Sequence, residues 1–229
     1  MFKCTLPKPH LSKLIALAQN PKLPELDKPR VAQALERHAA WVKAMDDLDA
    51  EGDALLVKLA SLANEYKRYI EIDLIFDSPA DFLYRQKGQH KVDNSVLEEF
   101  MPRLADTRLV PGLSRVTSCN VGPQAAFAVF IFAGNVHSPL ADGGIFIKKK
   151  DQDYALSKTV YLKASTNPDF SGPDVLSTVL NVAYLTAECK TNLDKTMFNE
   201  SLETARSLKQ AVAGSRYLLL CEWLDIGAD

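Results

Sequence analysis

Val179-Leu180-Asn181-Val182-Ala183-Tyr184-Leu185-Thr186-Ala187 runs without a charge into Glu188-Cys189-Lys190. The β-branched and aromatic content predicts a strand. Residues two apart on a strand share a face, so Glu188 and Lys190 point together and Cys189 points the other way, toward a core. An apolar strand that ends in two charges on one face directs them to solvent or to a partner. An amphipathic helix is predicted next, from about Asp194 to Val212. Its apolar face is Phe198, Leu202, Ala205, Leu208 and Val212, and Gly214 is a C-terminal stop. Tyr217-Leu218-Leu219-Leu220-Cys221-Glu222-Trp223-Leu224 reads as a short buried strand. Upstream, Ala126 to Phe132, Ile145 to Ile147, Tyr154 to Leu156 and Thr159 to Leu162 are further strand candidates. The order β-β-β-α-β predicts an α/β (α+β) fold with a mixed central sheet.

The first part of the chain has a different period. Leu11, Leu14, Ile15 and Ala18 recur at helical spacing. So do Val31, Ala34, Leu35, His38, Trp41, Val42, Met45 and Leu48, and then Leu55, Leu59, Leu62, Ala63, Tyr66 and Tyr69. The acidic stretch Asp46 to Asp53 separates the second set from the third. A polar stretch from Asp77 to about Asp93 precedes a short helix near Ser95 to Ala105, and Val110-Pro111-Gly112 closes it. The reading is therefore a helical region over residues 1–110 and a strand-rich region over 111–229. Packing accounts for the helical periodicity, which gives the first region scaffolding or dimer contacts as its work.

The 229 residues are 47% hydrophobic and 24% charged, which excludes disorder and low complexity as the main description. With 27 Lys plus Arg against 29 Asp plus Glu, the net charge of −2 excludes a small basic protein that coats nucleic acid. It leaves open a protein with one local basic surface. Cys4, Cys119, Cys189 and Cys221 form no C-x-x-C pair and no zinc spacing, so reduced thiols in a cytosolic protein are expected. The opening residues carry Pro7 and Pro9 rather than an apolar core, so no signal peptide is expected. The Ala125 to Ala133 run is about half the length of a membrane span and is expected to be a buried strand.

Pro173-Asp174 stands thirteen residues before Glu188-Cys189-Lys190. Two carboxylates suit a hard divalent cation such as Mg²⁺, which keeps several of its waters. Such a cation polarises a phosphate oxygen and acidifies a bound water, and the lysine orients that water or offsets charge on phosphorus. This is equipment for phosphodiester hydrolysis. Asp169 is a rival for the first carboxylate, and Asp153, near a strand start, is another. Asp174 also reads as a turn residue after Gly172-Pro173, and Glu188 with Lys190 as an exposed cross-strand charge pair. A second acid-x-Lys tripeptide, Glu65-Tyr66-Lys67, lies on a predicted helix and reads as a surface pair. Glu200 reads as a solvated helix position. Lys148-Lys149-Lys150 and Lys195 are candidate phosphate contacts, which fix position without reading sequence, and Arg206 and Lys209 extend the same basic face. His10, His38, His90 and His137 are scattered, and His38 falls on an apolar helix face as a satisfied core histidine would. No P-loop, dinucleotide fingerprint or G-x-S-x-G is present.

Pro173-Asp174 and Glu188-Cys189-Lys190 resemble the PD-(D/E)XK nuclease motif residue by residue. Cys119 to Gln124, Lys149 to Leu156, and Ala187-Glu188-Cys189-Lys190-Thr191-Asn192-Leu193-Asp194-Lys195-Thr196-Met197-Phe198 look like the Type II restriction endonucleases of the BbvCI and DdeI type. The resemblance covers roughly residues 115–225. It implies a Mg²⁺-dependent restriction endonuclease acting on double-stranded DNA, in the bacterial cytoplasm, as a homodimer or as paired unlike subunits. It implies Asp174 and Glu188 as metal ligands and Lys190 as the catalytic lysine. Related chains continue past the strand corresponding to Tyr217–Leu224. This one stops there, as a short member, a fragment or a chain that needs a partner would. A repair or structure-selective nuclease on the same fold, and an inactive partner subunit, are the competing readings.

Overall fold

The structure, a computed structural model, describes residues 6–115, 119–132, 144–172 and 175–226. The chain divides into two compact units, residues 1–116 and 117–229.

The first unit is helical. Helices α1 (Pro9–Ala18), α2 (Lys28–Asp46) and α3 (Gly52–Arg68) follow the three apolar periods in turn, and the acidic stretch forms the break after α2. A π-helical segment, Tyr69–Phe76, prolongs α3. The polar stretch that follows holds two one-turn helices, α4 (Phe82–Arg85) and α5 (Lys87–His90). Helix α6 (Val92–Phe100) then runs into 3₁₀ turns at Met101–Ala105 and Pro111–Arg115. Leu14, Val31, Ala34, Met45, Leu55, Ile70, Leu74 and Val96 are sealed in one core. The core also encloses a polar cluster. His38 Nε2 lies 2.6 Å from Glu99 Oε1, and Glu99 Oε2 accepts from Leu11 N at 3.1 Å. The Ser95 hydroxyl donates to Val92 O at 2.8 Å, so its oxygen accepts from His10 Nδ1 at 2.9 Å. His10 Nε2 then accepts from the Tyr66 hydroxyl at 3.0 Å. Every partner fits a neutral imidazole, and burial, helped by nearby His38, lowers the His10 pKa to about 3.

The second unit is a four-stranded sheet in the order β1 (Asn120–Phe132), β2 (Ile145–Ser165), β3 (Val175–Asp194) and β4 (Arg216–Asp225). The first three strands are antiparallel and β4 is parallel to β3. Three of the strand signals, at Ile145, Tyr154 and Thr159, merge into the single 21-residue β2. Helix α7 (Lys195–Ala211) supplies the crossover from β3 to β4. Asp194 ends β3 and caps α7, its carboxylate accepting from Met197 N at 2.7 Å. Gly214, at φ +79°, turns the chain back into β4.

Three sequence expectations are corrected here. The last strand is not buried: β4 pairs only with β3 among the described residues, and Trp223 is 71% exposed. The Ala125–Ala133 run is buried only at Ala126, Phe127 and Ala128, while Val129 to Phe132 are exposed. Helix α7 turns Ser201, Thr204 and Leu208 inward and leaves Phe198 and Leu202 exposed. The inward face carries a polar bond from Ser201, described next, that the apolar pattern does not contain.

Candidate active site

Strand β3 carries Glu188 and Lys190 on one face, with Cys189 buried on the other, as strand alternation requires. Lys190 Nζ lies 3.4 Å from Glu188 Oε2, with side chains 33% and 14% exposed. The Ser201 hydroxyl on α7 donates to Glu188 Oε2 at 3.0 Å. Tyr217, on β4, has its hydroxyl buried beside this carboxylate. Burial first, and then the Glu188 carboxylate, push the Tyr217 phenol up, so it stays protonated at neutral pH.

The second carboxylate comes from β2. Tyr154–Ala187 is the last pair of the antiparallel register, and Asp153 and Glu188 are the residues that follow it on the two strands. Asp153 Oδ2 accepts from Cys189 N at 2.7 Å. The ladder ends at the Tyr154–Ala187 pair, and the Asp153 carboxylate caps it at the next amide. The Tyr217 phenol feels both acids, Glu188 more strongly than Asp153.

Asp174 lies outside the described residues. Its neighbour Val175 opens β3, thirteen residues before Glu188 and paired with Ser165 at the far end of β2. At the usual rise of about 3.3 Å per residue this is a path of roughly 43 Å. The hairpin curls as it runs: Asn181 Nδ2 donates to Ala125 O at 3.3 Å and Lys149 Nζ to Val179 O at 3.3 Å, so this part of β3 returns to the β1–β2 pair. Asp153, by contrast, follows the last pair of the register and bonds the Cys189 amide beside Glu188. Asp169 is exposed in the same turn.

The remaining sequence candidates divide. Lys148, Lys149 and Lys150 lie on β2 opposite Val129, Phe127 and Ala126, so their side chains alternate between the two faces. Lys149 is exposed, and its Nζ donates to Val179 O at 3.3 Å. Lys195 is exposed at the first residue of α7, and Glu200 is exposed on the same helix. Ser201 and Tyr217 carried no sequence signal: each depends on how α7 and β4 lie against β3. Their identity is legible only once Glu188 is known to face α7.

Two carboxylates on adjacent strands, with a lysine on the same face as Glu188, are an oxygen-donor set of the kind a hydrated Mg²⁺ takes. Among the described residues no group of three His, Cys, Asp or Glu side chains converges into a protein-only cage. In a comparison of sequences, the family model of the Bpu10I restriction endonuclease matches residues 89–228. The chain belongs to the Bpu10I restriction endonuclease family. The match begins ahead of α6, so the family's shared region reaches into the helical unit. Among solved structures, one titled "native BbvCI A2B2 tetramer at low resolution" is similar with a TM-score of 0.58 at 17% identity. That likeness covers 96% of this chain and 76% of the other, and it shows the same restriction-endonuclease-like fold. No curated protein sequence matches the chain. No helix among the described residues is long and apolar enough to cross a membrane.

Proposed function

We propose that this family member is a Mg²⁺-dependent endonuclease that hydrolyses double-stranded DNA at a short specific site. The observation that carries the reading is the Asp153–Glu188–Lys190 group at the end of the β2–β3 ladder, inside a restriction endonuclease family sheet. Asp153 and Glu188 would hold the cation. When bound, it supplies a polarised phosphate oxygen and a more acidic water. Ser201 orients the Glu188 carboxylate, and the Cys189 amide orients that of Asp153. The Lys190 ammonium, held by Glu188, donates to a non-bridging phosphate oxygen and offsets the charge that builds on phosphorus. The oxygen of water forms a bond to phosphorus while the P–O3′ bond breaks, leaving a 5′-phosphate and a 3′-hydroxyl. Lys148, Lys149, Lys150 and Lys195 serve as phosphate contacts. Asp153 takes the ligand place that the sequence motif had given to Asp174.

A second reading has its own support. The chain is one subunit of an assembly, as a homodimer or with an unlike partner. The similar BbvCI structure is an A2B2 tetramer by its title. Apolar side chains on α7 (Met197, Phe198, Leu202) and on the β4 edge (Leu218, Trp223, Leu224) are exposed, and contiguous exposed apolar surface marks interaction sites. The helical unit is given dimerisation or DNA grip, and the substrate places the protein in the bacterial cytoplasm.

The test is a plasmid digest by the purified chain with Mg²⁺ and with EDTA, followed by sequencing of the ends. One repeated terminal sequence, seen only with Mg²⁺, is the expected result. Heterogeneous ends would point to a repair or structure-selective nuclease. No cleavage by the chain alone, with cleavage on adding a second subunit, would select the heteromer.

A further inference from the structure

β1 pairs with β2 no further than Ser157, and β4 pairs with β3 only from Leu185 onward. The remainder, β2 residues 158–165 with β3 residues 175–182, is a two-stranded ribbon with no third strand on either edge among the described residues. Its two faces differ. On one, Leu162, Ala164, Leu176 and Leu180 are half-buried or buried. On the other, Thr159, Tyr161 and Lys163 are exposed opposite Asn181, Val179 and Ser177; Asn181 is half-buried and donates to Ala125 O of β1, so the open part of this face is Thr159, Tyr161, Lys163, Ser177 and Val179. Tyr161 is 82% exposed, more than any other large hydrophobic side chain among the described residues.

The ribbon is also one-signed. In a chain with more acids than bases, its sixteen strand residues hold Lys158 and Lys163 and no Asp or Glu. The Lys149 ammonium reaches the ribbon as well, at Val179 O. Asp169 is exposed in the segment that follows β2, outside the two strands. Two strands about 4.8 Å apart, with their side chains, match a major groove of about 12 Å, which admits a two-stranded β-ribbon.

From this exposed polar face, its positive charge and its width, we infer that the 158–165/175–182 ribbon docks in a groove of double-stranded DNA. Lys149 and Lys163 meet phosphates, and Tyr161 lies against the groove floor or wall. The inference rests on the DNA-cleaving reading and adds to its Lys149 contact the ribbon residues Tyr161 and Lys163, which that reading leaves unassigned. The ribbon's outer face makes the contact.

The experiment is fluorescence anisotropy of the full chain on a labelled duplex, without Mg²⁺, over a series of salt concentrations. Lys149→Ala and Lys163→Ala should each reduce the slope of log K against log salt by about one. Lys163→Arg should restore the slope. Tyr161→Ala should weaken binding about tenfold and leave the slope unchanged. Melting curves establish that these exposed substitutions leave the fold intact. Binding by the Lys163 and Tyr161 variants with wild-type slope and affinity, from a wild-type chain that does bind DNA, would overturn the ribbon and leave the nuclease reading standing. A wild-type chain that neither binds nor cleaves DNA, alone or with a partner subunit, overturns both.

Discussion

An acid, one residue and a lysine occur twice in this protein, as Glu65-Tyr66-Lys67 on α3 and as Glu188-Cys189-Lys190 on β3. On the helix, two positions of advance turn the side chain by about 200°. Glu65 is exposed, and Lys67 is buried and pairs with Glu71 one turn on. On the strand the same advance restores the direction, and Lys190 Nζ meets Glu188 Oε2 at 3.4 Å. Identical spacing thus gives a scaffold ion pair in one backbone and a convergent charged pair in the other. The strand also has a neighbour whose Asp153 bonds the amide beside its glutamate, whereas α3 brings no second carboxylate to Glu65 in any described bond.

That contrast can be broken most sharply at the two lysines. Lys190→Ala should lower the cleavage rate about 10³-fold with DNA binding still measurable. Lys67→Ala should leave the rate alone and lower the melting temperature instead. Full cleavage by the Lys190 variant would sink the site. The Asp153 contact predicts the next largest effect. Asp153→Asn should cost about 10²-fold and move the Mg²⁺ titration to higher concentration, whereas Asp174→Asn should stay near wild type. The reverse ranking would return the ligand role to the Pro-Asp turn.

The helical unit makes its own prediction, through pH. His10 is neutral in the fold with a pKa of about 3, against 6.5 for an exposed imidazole. Between those values the unfolded chain binds the proton and the folded chain does not. The contribution is therefore whole above pH 6.5 and is lost as pH falls toward 3. By pH 5 the loss from this residue is about 2 kcal/mol. A His10→Gln variant should flatten that part of the stability–pH curve, followed by denaturant unfolding. The smallest effect is expected at Ser201→Ala, which removes one hydrogen bond to the Glu188 carboxylate and should slow cleavage about tenfold. Ser201→Thr should recover most of the rate, because the hydroxyl returns to α7.

Much of the fold is legible because its signals are local. The periods around Leu14, Val31 and Leu55 mark three helices by spacing alone, and the order of strands and crossover helix follows from residues that are neighbours in the chain. Glu188 and Lys190 are legible for the same reason, since two residues on one strand carry their relative direction with them. The first carboxylate is different. Pro173-Asp174 has the motif's spelling, but the bond from the Cys189 amide to Asp153 depends on which β2 residue pairs with Ala187. Ser201 is likewise hidden, since the apolar pattern of α7 pointed Phe198 and Leu202 inward, whereas the inward face carries the bond to Glu188.

By itself, then, the order of residues determined the helical and strand-rich halves, the crossover helix and the Glu188–Lys190 pair. Tertiary structure decided that the Asp153 carboxylate bonds the Cys189 amide, which face of α7 is buried, and that the end of the β2–β3 hairpin stands as a two-stranded ribbon. The physical reason is range. Backbone periodicity depends on side chains a few positions apart, whereas a cross-strand register joins residues more than thirty positions apart through hydrogen bonds that every backbone offers equally.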